Sequence, residues 1–217
     1  MNLGEILDEV KILIDDDSFS DSTIIDYINN TIKWIGDEVN LPSLKGIDTV
    51  ETVVSQNYAL LTGLTDGFSG RLVSCLSEDI IVYSSLEALM EDFISDIDME
   101  GAVEGVALEG TILWYQKIPA AAETLTLIYY KNPTTLTAMS HTPPVDIHES
   151  LHRRLFVNGT AFFLYDLKED GVEGEKVNAN SQYYQAFEHR NKQSGMTLLK
   201  ASLARKKVHR ISSVWNY

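Results

Sequence analysis

Cysteine is nearly missing from this chain. One thiol, Cys75, stands in 217 residues, so no intramolecular disulfide can form and stability has to come from a buried core. Long apolar runs are missing too. The longest, around Leu155 to Leu167, is interrupted by Asn158, Gly159, Thr160 and Asp166, too short and broken to span a bilayer, which predicts a soluble protein. The opening MNLGEILDEV has neither the basic stretch nor the small-residue cleavage site of a signal peptide, so the expected place of synthesis and residence is the cytoplasm of the cell that makes it.

Positive charge is scarce, and unevenly so. Against 32 acidic side chains the sequence has 17 Lys and Arg, a net charge of −15. Residues 196–217 hold five of these bases, Lys200, Arg205, Lys206, Lys207 and Arg210, and no acid, which leaves 12 basic and 32 acidic side chains in residues 1–195, a formal charge of −20. A body so acidic repels nucleic acid. The one-signed tail has the composition of an interaction arm, with a solvated terminus as the plain alternative.

What is present is ample apolar material, 44% of the residues, enough for one large domain or two small ones. Leu3, Ile6, Leu7, Val10, Leu13 and Ile14 recur at helical spacing, and after Asp15-Asp16-Asp17-Ser18 a second helix opens with Ser20 as N-cap and a stripe of Ile24, Ile28, Ile32, Ile35 and Val39. From Gly46 the pattern turns β-branched and extended. Strands are expected through Val54, at Tyr58-Ala-Leu-Leu, Arg71 to Ser77, Ile80 to Ser84, Gly101 to Leu108, Thr111 to Gln116 and Thr124 to Tyr130, with a short helix at Leu86. The gaps among the last three strands are too short for helical crossovers and suggest an antiparallel meander. Helical periodicity returns from Asp146, its expected N-cap, to about Lys168, and again over about Glu175 to Lys192.

The expected fold is therefore α+β: an N-terminal helical hairpin (1–45) and two long C-terminal helices (134–195) packed as a bundle, a small antiparallel β unit (46–133) inserted between them, and an extended basic tail (196–217). Because every apolar stripe assigned above precedes Gly195, residues 1 to about 195 are expected to stay folded without the tail.

Chemical motifs are few. His148-Glu149-Ser150-Leu151-His152 matches H-E-x-x-H, in which two imidazoles on one helical face grip zinc and the Glu activates its water. A third ligand would have to be Glu169, Glu173 or Glu188, none in a recognisable motif, and Arg153-Arg154 follow directly; a helix N-terminus favouring Glu149 is the simpler reading. Gly67-Phe68-Ser69-Gly70 lacks the full nucleophile elbow, and Gly63 to Gly70 lacks the Lys-Ser/Thr of a phosphate loop, so both read as turns. Asp15-Asp16-Asp17 lacks the rest of a calcium loop, and Trp114-Tyr115 and Tyr129-Tyr130 suit cross-strand packing.

The order of segments resembles the head-to-tail adaptor (connector) proteins of tailed bacteriophages, the short-tailed type especially. The likeness runs from the opening helix through Phe19-Ser20-Asp21 and Ile24-Ile25-Asp26-Tyr27-Ile28-Asn29, Val50-Glu51-Thr52-Val53 and Tyr58-Ala59-Leu60-Leu61. It continues through Gly110-Thr111-Ile112-Leu113-Trp114, Glu123 to Pro133 and Val145-Asp146-Ile147-His148-Glu149-Ser150-Leu151, with Leu60-Leu61 standing where Leu-Pro is commoner. The resemblance implies a structural virion protein, not an enzyme and without cofactor or metal. It implies a homo-oligomeric ring, typically a dodecamer, beneath the portal, made in the host cytoplasm and placed at the head-tail junction. Tail nozzle or fibre proteins would dock below, DNA would pass through without sequence-specific binding, and no membrane would be involved. With the resemblance, Lys200, Arg205, Lys206, Lys207, Arg210, Trp215 and Tyr217 are the expected portal-binding residues. The competing readings are a zinc metallopeptidase using residues 148–152, or another tail-tube or baseplate component.

Overall fold

A computed structural model describes the chain except residues 62, 63, 65–67, 77–79, 96, 97, 169–181, 189–191 and 213–217, and except the side chains of 167, 168 and 205–212. The chain divides into two compact units, one of residues 1–43 with 133–217 and one of residues 44–132.

In the first unit, helix α1 (Leu3–Ile14) starts at a reciprocal capping box between Asn2 and Glu5 and buries Leu3, Ile6, Leu7, Val10 and Ile14. Helix α2 (Asp21–Glu38) is capped by Ser20, whose Oγ accepts from the Thr23 amide, and buries Ile24, Ile28, Thr31, Ile32 and Ile35. Asn29 on α2 fastens the incoming chain: its Oδ1 accepts from the Leu136 amide at 2.7 Å and its Nδ2 donates to the Leu136 carbonyl at 3.1 Å. The chain then makes a 3-10 turn (Glu149–Leu151), a π turn (Arg153–Val157) and α4 (Asn158–Lys168). Phe156, Val157, Ala161 and Leu164 are fully buried, and Gly159 sits where a Cβ would come within 2.8 Å of the Thr31 methyl and 2.9 Å of the Phe187 ring. This close approach is what the glycine permits. Helices α5 (Gln182–Phe187) and α6 (Gly195–Ser212) complete the described part of the unit.

The second unit holds two sheets, with α3 (Leu86–Asp92) beside them. Strands β1 (Lys45–Glu51), β7 (Thr124–Lys131) and β3 (Phe68–Cys75) form one sheet in the order β1-β7-β3, all antiparallel. Strands β2 (Tyr58–Leu60), β6 (Ile112–Gln116), β5 (Gly105–Glu109) and β4 (Ile81–Tyr83) form the other, in the order β2-β6-β5-β4. Their shared core is Ala59, Leu61, Val103, Val106, Leu113, Tyr115, Leu125 and Leu127, drawn from both sheets.

The class is α+β, but the expected bundle with a small antiparallel inset is wrong. Among the described residues there are six α-helices and seven strands in two sheets, so the β part is a substantial two-sheet unit. It is not wholly antiparallel, because β4 pairs with β5 in parallel, Ile81 opposite Gly105. The connection 84–104 carries α3 and exceeds the dozen or so residues a parallel crossover needs, whereas the meander expectation rested on the short gaps after Gly101. Of the expected helix over about 175–192, Gln182–Phe187 is helical and most of the rest lies outside the described residues. Over its described residues, 196–212, the tail is not extended. Its described backbone is α6, a helix through Ser212, as a run of Leu, Lys, Ala and Arg, strong helix formers, would favour.

Candidate functional site

The H-E-x-x-H residues are not arranged as two i, i+4 imidazoles on one helix. His148 has extended backbone (φ −64°, ψ 141°) and is itself the N-cap: its Nδ1 accepts from the Ser150 amide at 3.2 Å. Asp146, the expected cap, instead accepts from the Ser43 amide. His152 is buried, with Nε2 3.0 Å from the Ile147 carbonyl and Nδ1 3.0 Å from the Met1 amine. Glu149 is exposed, 3.9 Å from that amine. Among the described residues no group of three or more His, Cys, Asp or Glu is placed to hold a metal ion.

Burial, with the nearby Met1 ammonium adding to it, holds the His152 pKa below its ordinary 6.5, against the Ile147 carbonyl and Glu149. Above about pH 6.5 the ring is neutral in folded and unfolded chains alike. Below it the unfolded chain takes up the proton first, so stability conferred by the neutral buried ring is lost as the pH falls. Melting temperature is expected to drop between pH 7 and 5, and less steeply in His152→Gln; identical slopes would refute the assignment.

The expected partner-binding residues lie on or beyond α6. Ser194 caps this helix, its Oγ accepting from the Thr197 amide at 3.3 Å. Gly195 packs so closely on the π turn that a Cβ there would lie 2.9 Å from Leu155 Cδ2, and Arg154 donates to the Gln193 carbonyl just before the helix. Met196 and Leu199, at helical spacing, are buried at 3% and 0% exposure. These contacts fix the root of α6, and sequence reading missed them; the Ser194-Gly195 pair before Met196 and Leu199 was the available signal.

Lys200 is exposed and its Nζ lies 3.6 Å from Glu38 Oε2. Arg205, Lys206, Lys207 and Arg210 follow on the α6 backbone, with side chains outside the described residues, and Trp215 and Tyr217 fall outside them altogether. The structure thus places the first five expected residues on one helix. Cations toward a helix C-terminus complement its dipole, so the run supports the helix that carries it. The arrangement is a rooted helix with charge of one sign, suited to contact with another macromolecule. Among the described residues no helix is long and apolar enough to cross a membrane.

These features are those of a surface that contacts another macromolecule. The chain belongs to the SU10 adaptor protein family, whose model matches residues 1–207, which takes in Arg205, Lys206 and Lys207 but neither Arg210 nor the terminal aromatics. It is a bacteriophage head-tail adaptor, a structural protein of the virion whose partners are, in general terms, portal and tail. No curated protein matches the sequence.

Proposed function

We propose that the protein assembles as a ring, of twelve copies as in short-tailed phages, beneath the portal, and joins the DNA-filled capsid to the tail. The observation that carries this reading is α6: a helix rooted in a packed unit through Ser194, Gly195, Met196 and Leu199, with the chain's densest basic run beyond the root. Such a helix is positioned before it meets a partner, which reduces the ordering cost of binding. Residues 1–195, at a formal −20, suit a wall around passing DNA that does not grip it. The basic run and Trp215 and Tyr217 contact the portal in this reading, and tail nozzle or fibre proteins dock on the opposite side.

Particle images of the protein mixed with the portal of the same phage test it. A ring of adaptor density seated on one end of the portal is the expected result; portal rings bare at every concentration would refute the proposal.

A further inference from the structure

In the helical unit, α2, the residue following α5 and the first turns of α6 enclose a cavity of about 330 Å³ lined by Trp34, Glu38, Glu188, Met196, Thr197 and Lys200. The Trp34 indole is held edge-on to Phe163 at 6.1 Å and tilted on Phe187 at 5.1 Å between ring centres, so it forms a fixed wall. Lys200 approaches Glu38, but among the described residues no cation lies within ion-pair distance of Glu188. Burial, and then the charge of Glu38, hold the Glu188 carboxyl above its ordinary range, with Lys200 opposing. Two carboxylates thus face one cation beside an aromatic face and a thioether. That combination disfavours an anionic ligand and suits one long cationic side chain, whose stem would pack on Met196 and Trp34 while its head meets the carboxylates.

We infer that this cavity receives a basic side chain from the Arg205–Arg210 run of a second copy of the chain, an inference that rests on the ring reading above. Charge complementarity selects the run: in an acidic protein it is the densest group of bases, with Arg205, Lys206, Lys207 and Arg210 within six positions. Helix geometry selects a second copy. The cavity lies at the root of α6, and the backbone stays helical through Ser212. At about 1.5 Å of rise per residue, Arg205 stands about 7 Å and Arg210 about 15 Å farther along the axis than Lys200, leading away from the cavity. A copy's own run is carried off from its own cavity, so the side chain that fills it comes from another copy. Because donor run and acceptor cavity occupy different places on one chain, the contact is heterologous, the kind that generates a ring when its rotation closes. The other bases of the run, with Trp215 and Tyr217 farther along the sequence, are left for the portal.

The test mixes chains of natural and heavy nitrogen isotope without portal and couples carboxylates to lysines with a zero-length carbodiimide. Crosslinks joining Glu38 or Glu188 of one isotope to Lys206 or Lys207 of the other are expected, with the same-chain Glu38–Lys200 link as internal control. Glu188→Lys should weaken self-association about tenfold, as charge pairs at interfaces do, and adding Lys206→Glu with Lys207→Glu should restore it. Glu188→Gln, which keeps the side-chain shape, should weaken it in the same direction, and circular dichroism of each variant controls for folding. Absence of mixed-isotope links to Glu38 or Glu188, or self-association indifferent to Glu188→Gln, overturns the inference. Rings still seated on the portal in that case would leave the adaptor reading standing, so the two failures are separable.

Discussion

A chain ending at Ala204 should melt like the full protein and fail to bind the portal, whereas a chain ending at Gly195 should be destabilised as well. The sequence alone suggested Gly195 as a safe end, since no apolar stripe was assigned beyond it. The structure corrects that: Met196 and Leu199 are buried at 3% and 0%, and the Ser194 cap needs the Thr197 amide. Losing a buried Leu or Met side chain costs about 2–5 kcal/mol, so removing both takes a large share of a stability typically near 5–15 kcal/mol. Cutting after Ala204 spares those residues and removes only the basic run and the aromatic end. Neutralising Arg205, Lys206, Lys207 and Arg210 together should weaken portal binding most at low salt, where screening is least, while Trp215→Ala should weaken it at every salt. Melting curves and portal-binding isotherms across a salt series decide both halves. Full-strength binding by the chain ending at Ala204 would remove the arm from the account, and unchanged melting of the shorter chain would show that the α6 root contributes no stability.

How far the sequence revealed the fold depended on the range of the interactions involved. The stripes of α1 and α2, and Ser20 as a cap, are local patterns of period 3.6 with one polar side chain in front, and the structure buries or uses them as expected. The parallel β4–β5 pair was not legible, because periodicity shows that a strand has a buried face and not which strand it will join. The start of the 149–168 segment was misread for a different reason. Asp146 is a commoner cap than His148, and tertiary demand drew its carboxylate to the Ser43 amide. The π turn at Arg153–Val157 was equally hidden, since one extra residue in a turn leaves an almost continuous apolar run looking unbroken.

Of the candidate site, composition exposed the charge and concealed the architecture. Five bases without an acid can be counted, whereas the cavity of Trp34, Glu38 and Glu188 assembles residues about 150 positions apart that share no motif. His148-Glu149-Ser150-Leu151-His152 shows the converse. A matching string acquired other work, one imidazole capping a turn and the other filling a buried position, because spacing on paper becomes spacing in space only where the backbone is helical throughout.

Tyr115→Ala should cost about 3–5 kcal/mol and be felt in residues 44–132. Tyr115 is on β6, between β2 and β5, with its ring fully buried among Ala59, Leu61, Val106, Leu113, Leu125 and Leu127. Its hydroxyl accepts from the Val53 amide at 2.8 Å and donates to the Tyr58 carbonyl at 2.9 Å, fastening the segment between β1 and β2 to the strand that centres the second sheet. Burial raises the pKa of this phenol, so the group is neutral and able to donate across the physiological range. Tyr115→Phe keeps the ring and removes only the hydroxyl, leaving the Val53 amide without that acceptor, at a cost of about 1–3 kcal/mol. Hydrogen exchange read residue by residue should then show protection falling at Val53 in Tyr115→Phe, and across both sheets in Tyr115→Ala, while α1, α2 and α4 keep theirs, because each unit has its own buried core. Equal losses in the helices of residues 1–43 and 133–168 would show that the chain opens as a single cooperative body, and equal effects of Phe and Ala would show that the hydroxyl, not the ring, carries the stability.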